Sequence, residues 1–350
     1  MRSRYRGTGL AILAVLIPCV LSPQAAAADP SEPACHVAKL PLPGPSDYSS
    51  VTASDASGRW MVGSSGRDID GHPHTIVWHN GKGTQPDLPY VQSAPGGVNR
   101  HGMVAGVGVV QMGDPAVGFV YTPKKLVELA RPAGMDSFAI TGISDAGLVT
   151  GWAMAADPSI AHAYVWSLDD PTNPIQLKVP AGSAQSFGIS PDGHIAVQLT
   201  TPDGRYRSFI FTQRLHRTEL RVPDDGYQAA VGTIANGWAA GFEQSDDGSP
   251  DHARPVRWNL NTHQVQVIPI DFAYFLPTPA VNEDGLLGGV RIAHGAEQAV
   301  LYDGDLTRLP MLDDDHVAQI NVVTRDGDAA GSSAQDEFSG PEVAVRWTCP

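Results

Sequence analysis

A five-residue turn that ends in glycine occurs seven times along this chain. The copies are SDASG, VNRHG, ISDAG, ISPDG, TIANG, VNEDG and VTRDG, which end at Gly58, Gly102, Gly147, Gly193, Gly237, Gly285 and Gly327. The intervals between these glycines are 44, 45, 46, 44, 48 and 42 residues. A period of this length indicates repeated supersecondary units rather than a succession of unrelated elements.

Every repeat carries the same internal pattern after the turn. A short apolar strand follows and, in six copies, ends in a second glycine: Gly63, Gly106, Gly151, Gly241, Gly289 and Gly331, with Val197 at this position of the fourth copy. After a polar loop, a further strand ends in an aromatic residue: Trp78, Tyr121, Trp166, Phe211, Trp258, Tyr302 and Trp347. We expect the aromatic residues to pack between neighbouring sheets and the second glycines to allow close approach of those sheets.

Short apolar runs separated by Gly, Asp, Asn and Pro give four strands per repeat, and no long stretch shows helical periodicity. Four short strands in about 40–50 residues are typical of a β-propeller blade. A solenoid of the same repeats would need capping repeats, and neither end of the sequence shows one. The sequence therefore predicts an all-β fold, a seven-bladed β-propeller.

The two ends of the sequence complement each other. Only three residues follow Trp347, so the seventh repeat lacks a fourth strand. The segment HVAKLPLP, residues 36–43, has the apolar pattern and the terminal Leu-Pro of a fourth strand. We therefore expect an N-terminal strand to complete the last blade. Cys35 and Cys349 flank the two strands that would pair, and we expect a disulfide between them in an oxidising compartment.

The first residues are predicted to be an export signal. Arg2, Arg4 and Arg6 precede an apolar run of twelve residues at 10–21, which is shorter than a membrane span. The sequence AAAADP at 25–30 supplies small residues for cleavage. The prediction is thus a secretory signal peptide at 1–28 and a single propeller domain at 29–350. The mature protein is expected to be secreted, monomeric and without a membrane span.

The charge balance limits the partners of the protein. The sequence holds 23 basic and 37 acidic residues, and three of the arginines lie in the predicted signal. This excess of negative charge argues against nucleic acid and anionic membranes as partners and permits cationic ones. It is also a common feature of soluble proteins.

Acidic residues in the loops between strands and between blades form the candidate ligand face: Asp68, Asp70, Asp246, Asp247, Asp251, Asp313, Asp314 and Asp315. Carboxylate oxygens suit Ca²⁺, which is the one cofactor that this face could hold; no other cofactor is expected. The alternative interpretation is a solvated acidic surface that binds nothing.

Other residues near these loops also allow two interpretations. His74 and His162 occupy equivalent positions of the first and third repeats, which favours a structural role over metal ligation. Four aromatic residues in interblade segments suit either a sugar or peptide ligand or packing between blades: Tyr90, Phe272, Tyr274 and Phe275.

The third strands carry a family resemblance. HAYVW at 162–166 is close to the His-Ala-Phe motif of the bacterial extracellular HAF-repeat proteins, and HTIVW at 74–78 is a looser copy. The segments GISDAG and GVNRHG are similar to the Gly-Ile-Asn-x-x-Gly element of the same family. The resemblance extends over all seven repeats, more weakly in the fourth and sixth. It implies an extracellular propeller and little about activity.

No nucleophile elbow, zinc-protease motif or phosphate-binding loop occurs in the sequence. The prediction is a secreted, non-catalytic binding module for an unknown extracellular ligand or protein. The alternative is a Ca²⁺-dependent hydrolase or lactonase, which would need carboxylates, Asn or His from several blades to converge on the central channel. The expected channel-lining positions are small, apolar or neutral: Ser50-Val51, Gly96-Gly97, Ala139-Ile140, Gln185-Ser186, Ala229-Ala230, Thr278 and Gln319.

Overall fold

The computed structural model describes residues 35–67, 72–155, 160–224, 226–245, 253–269, 279–293, 296–312, 315–335 and 342–350. All regular secondary structure in these ranges is β-strand. The described part of the chain contains no helix of the length and apolarity that a membrane crossing requires. The 28 strands form seven antiparallel sheets of four strands each. These sheets are the blades of a seven-bladed β-propeller, as the repeat predicts.

The strands of each blade follow one another from the channel outwards. The described chain opens with β1 (His36–Lys39), and blade 1 contains β2 (Tyr48–Ser54), β3 (Trp60–Gly66), β4 (His74–His79) and β5 (Lys82–Thr84). Blade 2 contains β6 (Gln92–Val98), β7 (Val104–Val109), β8 (Val117–Thr122) and β9 (Lys125–Leu129). Blade 3 contains β10 (Ser137–Ile143), β11 (Leu148–Met154), β12 (Ala161–Ser167) and β13 (Asp170–Gln176).

The remaining blades have the same order. Blade 4 contains β14 (Ser183–Ile189), β15 (Ile195–Thr200), β16 (Tyr206–Phe211) and β17 (Arg217–Leu220). Blade 5 contains β18 (Tyr227–Ala235), β19 (Trp238–Ser245), β20 (Arg254–Asn259) and β21 (Val265–Val267). Blade 6 contains β22 (Ala280–Val281), β23 (Leu287–Ala293), β24 (Ala296–Tyr302) and β25 (Leu306–Arg308). Blade 7 contains β26 (Val317–Val323), β27 (Ala329–Ala334), β28 (Val343–Thr348) and β1.

The repeated turn joins the inner strand of each blade to the second strand. All seven turn glycines have positive φ, from 65° at Gly58 to 89° at Gly193, a conformation that glycine adopts without steric cost. In five blades the side chain of the residue three positions earlier caps the turn; the exceptions are Ile234 in blade 5 and Thr324 in blade 7, whose hydroxyl has no hydrogen-bond partner in the described part of the chain. In blade 2, Asn99 Oδ1 accepts the backbone N–H groups of His101 and Met103, both at 3.1 Å. These turns define one end of the channel, which we call the turn face. The connections between second and third strands lie at the other end, the loop face.

The third-strand tryptophans bind neighbouring blades together, as predicted. Each of the four is at most 2% exposed. Their indole N–H groups donate to backbone carbonyls that follow the outer strand of the preceding blade, at 2.7–2.8 Å. The pairs are Trp78 with Pro41, Trp166 with Ala130, Trp258 with Arg221 and Trp347 with Pro310. Seven apolar clusters, each formed by two adjacent blades, make up the described core.

The second glycine has a different role from the one expected. A Cβ at Gly63 would lie 1.8 Å from the carbonyl oxygen of Ser50, and a Cβ at Gly151 would lie 2.1 Å from that of Ala139. Both oxygens belong to the inner strand of the same blade. The prediction that this glycine serves the contact between neighbouring sheets is therefore wrong: it makes room for the inner strand of its own sheet.

The ring closes as the sequence predicts. β1 pairs with β28, from His36 opposite Thr348 to Lys39 opposite Val345. Cys35 and Cys349 form a disulfide across 314 residues of sequence. In the chain-entropy treatment, a disulfide that closes a loop of this length stabilises the folded protein by roughly 5–6 kcal/mol, because it lowers the conformational entropy of the denatured chain. The predicted boundary between a signal at 1–28 and a domain at 29–350 stays a prediction, because it lies outside the described residues.

Candidate functional site

The predicted acidic face falls mostly outside the residues that the structure describes. Seven of its eight members do so: Asp68, Asp70, Asp246, Asp247, Asp251, Asp313 and Asp314. The eighth, Asp315, accepts a hydrogen bond at 2.7 Å from the hydroxyl of Ser333. Within the described ranges, no group of three or more His, Cys, Asp or Glu side chains is placed to hold a metal ion. The Ca²⁺ site on this face therefore stays a prediction.

Two of the other residues chosen from the sequence, His162 and Tyr90, contact neighbouring side chains of the propeller. Nδ1 of His162 lies 3.2 Å from Nε2 of Gln176 on the adjacent outer strand. Tyr90 is buried between blades 1 and 2, with its ring 5.3 Å from that of Phe119. Burial raises the pKa of the Tyr90 hydroxyl to about 12. This confirms the packing interpretation for Tyr90; Phe272, Tyr274 and Phe275 lie outside the described residues.

One cavity of the described structure lies on the propeller axis. It has a volume of about 540 Å³ and is lined by residues from all seven blades. The lining runs from the middle of each inner strand to the turn that follows it, so the cavity belongs to the turn face. We call it the axial cavity.

A β-bulge in the inner strand creates the wall of the axial cavity. The pairing of inner and second strands slips by one residue at the same place in six blades, for example between Val51 and Ala53 and between Ile140 and Gly142. The unpaired residues are Thr52, Gly96, Thr141, Phe187, Gly232 and Asn321. All of these except Gly232 line the cavity. A bulge bends its strand and redirects a side chain, and here it places one residue of each of five blades on the cavity wall.

The bulge explains why the sequence-based lining was misplaced. Gly96-Gly97 was placed correctly, because both residues line the cavity. The other described choices lie one to four residues before the nearest lining residue of their blade, since strict alternation along the strand takes no account of an extra residue. A usable signal exists in the sequence: in five blades the bulged residue lies six positions before the turn glycine, as Thr52 does before Gly58.

Charged residues of the turns surround the mouth of the axial cavity. The basic ones are Arg325, Arg59 and Arg100, which come from blades 7, 1 and 2. The acidic ones are Asp55, Asp145 and Glu283. Arg325 forms a two-point ion pair with Glu283 of blade 6, and this pair raises the pKa of Arg325. Nε of Arg100 lies 3.5 Å from Oδ2 of Asp145 of blade 3.

Backbone hydrogen bonds also connect the turns of adjacent blades. The N–H of Arg100 donates to Oδ1 of Asp145 at 3.1 Å, and the N–H of Asp145 donates to the carbonyl of Pro191 at 3.0 Å. The N–H of Arg325 donates to the carbonyl of Ala56 at 2.7 Å. The mouth is thus held by contacts between neighbouring blades, which gives the cavity a preformed shape.

One aromatic residue lies among the described residues of the cavity wall. Phe187 is the bulged residue of blade 4, is partly exposed and lines the cavity. The equivalent residues of the flanking blades are Thr141 and Gly232. The Thr141 hydroxyl lies 2.9 Å from that of Ser186, beside Phe187. The cavity therefore combines this ring with hydroxyl groups beside it, and its lining also includes Ile143, Ile189, Ile234 and four valines.

A second cavity of about 370 Å³ lies between blades 4 and 5 towards the loop face. Its charged groups pair with one another. Arg207 donates two hydrogen bonds to Glu219, at 2.7 and 2.8 Å, and this contact lowers the pKa of Glu219. Arg254 contacts Asp224 at 2.7 Å and also the fully buried Glu243, whose pKa is raised by burial. The axial cavity is the stronger candidate site, because residues of all seven blades line it, whereas the second cavity lies between two blades.

No protein family model matches the chain, and no curated protein matches it in sequence. Solved structures share its fold. An oligogalacturonate lyase from Vibrio parahaemolyticus aligns with a TM-score of 0.60 at 10% identity, over 90% of this chain and 93% of the lyase. Virginiamycin B lyase from Staphylococcus aureus aligns with a TM-score of 0.52 at 13% identity, over 90% of this chain and 99% of that one.

A prolyl endopeptidase aligns with a TM-score of 0.53 at 14% identity, over 87% of this chain. This chain spans about half of the endopeptidase, 51% of its length. At such identities the likeness concerns the fold alone, since one fold serves many functions. The class that fold and site define is a seven-bladed β-propeller with an axial cavity at its turn face.

Proposed function

We propose that the protein is a secreted, non-catalytic binding protein whose ligand occupies the axial cavity. The observation that carries this proposal is the cavity itself, about 540 Å³ in volume and lined by residues of every blade. This volume lies within the range that small-molecule sites occupy. The lining combines one aromatic ring with hydroxyl, amide and guanidinium groups, which is the mixture that fixes the orientation of a bound molecule.

The rigidity of the wall supports the same proposal. A Cβ at Gly96 would lie 2.0 Å from the carbonyl oxygen of Ile140, and a Cβ at Gly97 would lie 2.8 Å from Cα of Gly142. The inner strands of blades 2 and 3 are therefore in backbone contact beside the cavity. A preformed cavity binds its ligand without an ordering cost.

The Cys35–Cys349 disulfide is compatible with secretion. We also propose that the repeats are of the HAF type. In support, the two best copies of the motif lie on the third strands β4 and β12.

The test is native mass spectrometry of the protein purified from its own culture medium. Thr52→Trp fills the cavity from an exposed bulge position, and Ile175→Trp adds the same ring on an outer strand, where Ile175 is 51% exposed. We expect a small molecule to co-purify with the natural protein and with Ile175→Trp, and to be absent from Thr52→Trp.

A molecule retained equally by all three proteins would place the binding site elsewhere and contradict the proposal. The hydrolase alternative makes a different prediction. A rise in melting temperature with Ca²⁺, together with ester or lactone hydrolysis that depends on this ion, would favour the alternative.

A further inference from the structure

We infer that the ligand of the axial cavity is an amphipathic anion, namely a ring compound that carries a carboxylate. This inference rests on the proposed function and specifies its ligand class. It depends on two features that face each other across the axis: an arc of three arginines at the mouth, and Phe187, the one aromatic ring among the described lining residues.

The arginine arc has unused hydrogen-bond donors. Arg59 donates to the carbonyl of Arg100 at 3.3 Å and pairs with no carboxylate among the described residues. Nε of Arg100 contacts Asp145 and His101. Its two Nη atoms have no hydrogen-bond partner in the described part of the chain. A guanidinium group has five N–H donors, so both side chains can bind a further anion.

The acidic residues of the mouth, in contrast, are occupied by donors of the protein. Asp55 is 4% exposed; its Oδ1 accepts the N–H of Trp60 at 2.7 Å, and its Oδ2 accepts the hydroxyl of Ser57 at 2.5 Å. Both oxygens of Glu283 accept hydrogen bonds from Arg325. The mouth therefore offers donors to a ligand and few acceptors, although the chain as a whole is acidic. Guanidinium groups match a carboxylate in charge and in shape.

The aromatic side of the cavity lies opposite the arc. In a closed ring of seven blades, blade 4 faces the boundary between blades 7 and 1, which supply Arg325 and Arg59. Phe187 of blade 4 lies four residues before the turn residue Pro191, which corresponds to roughly 13 Å of extended strand. The ring is thus deeper than the arginines. An elongated ligand, with its ring on Phe187 and its carboxylate at the mouth, contacts both features.

The test is isothermal titration calorimetry with a matched pair of probes, 2-naphthoate and its neutral amide 2-naphthamide. We expect one molecule of 2-naphthoate to bind per chain, at least about tenfold more tightly than the amide. Phe187→Ala should weaken both probes about equally. Arg59→Gln combined with Arg100→Gln should weaken only the carboxylate, to an affinity close to that of the amide. Arg308→Gln, an exposed charge change on β25, is the control and should leave both unchanged.

Three outcomes would overturn the inference. Equal affinity for both probes would remove the role of the arginines. If Arg308→Gln weakened 2-naphthoate binding as much as the double variant of Arg59 and Arg100 does, the effect would come from the net charge of the protein and not from contact with these arginines. Absence of binding by either probe would exclude this ligand class. None of these outcomes decides the proposed function, because the Thr52→Trp comparison tests the cavity with the molecule that the protein itself retains.

Discussion

Blades 3 and 4 share the same strand order but differ at the two positions that shape the axial cavity. Blade 3 has Thr141 at the bulge and Gly151 on the second strand opposite Ile140. Blade 4 has Phe187 at the bulge and Val197 on the second strand opposite Ser186. The slip in strand pairing occurs at the same place in both blades.

This difference shows that the bulge does not depend on one pair of residues. Blade 4 keeps the pairing with a branched side chain where most blades have glycine, and Val197 is fully buried there. The bulged residue lines the cavity in both blades, and the pairing of the two strands resumes on either side of it. The residue at the bulge can thus vary with the ligand while the fold stays the same.

The strongest test of this comparison is to give blade 3 the valine of blade 4. In Gly151→Val the new Cβ would meet the carbonyl oxygen of Ala139 at 2.1 Å, so the inner strand must shift. We expect a loss of about 3 kcal/mol or more in the free energy of unfolding, as for overpacked cores. Urea unfolding followed by tryptophan fluorescence measures it.

Val197→Ala in blade 4 is the matched control, and it should cost about 1–2 kcal/mol through lost burial. If Gly151→Val cost less than Val197→Ala, the inner strand of blade 3 would not need the space that Gly151 leaves, and our explanation of these glycines would be wrong.

A second test moves the aromatic ring from blade 4 to blade 3. In the double variant Thr141→Phe with Phe187→Thr, the cavity keeps one ring, but this ring no longer faces the boundary of blades 7 and 1. We expect about a tenfold loss of affinity for 2-naphthoate, which corresponds to about 1.4 kcal/mol. Isothermal titration calorimetry of the double variant, compared with that of Phe187→Ala, shows whether the position of the ring determines the affinity. Unchanged affinity would mean that any ring in the cavity suffices.

The smallest predicted effect concerns the outer edges of the two blades. Blade 3 has the contact of His162 with Gln176, where blade 4 has the ion pair of Arg207 with Glu219. The hydrogen bond from Arg207 lowers the pKa of Glu219. The stabilisation is therefore complete above the unfolded-state pKa, about 4.3, and is lost as the pH falls through the lower folded-state value.

Glu219→Gln should accordingly reduce the free energy of unfolding at pH 7 by less than about 1 kcal/mol, because the pair is partly exposed. The difference from the natural protein should shrink as the pH falls below 4. Melting temperatures measured from pH 3 to pH 7 provide the comparison. A difference that grows towards low pH would contradict the assignment.

The sequence predicted the ring because its signals repeat. The turn glycines and the third-strand tryptophans meet structural requirements that recur from blade to blade. The two cysteines meet a requirement of ring closure. The cavity was harder to predict, because the bulge breaks the two-residue period on which strand assignment depends. Arg59 and Arg100 gave no signal, since an arginine in an exposed turn is ordinary and only the ring brings it beside the axis.

The central claim is that the axial cavity binds a ligand between the arginine arc and Phe187. Its most direct test is a crystal structure of the protein with 2-naphthoate at a concentration that saturates the calorimetric curve. We predict the ring against Phe187 and the carboxylate within hydrogen-bond distance of Arg59 or Arg100. An empty axial cavity, with the probe bound at the loop face, would contradict the claim.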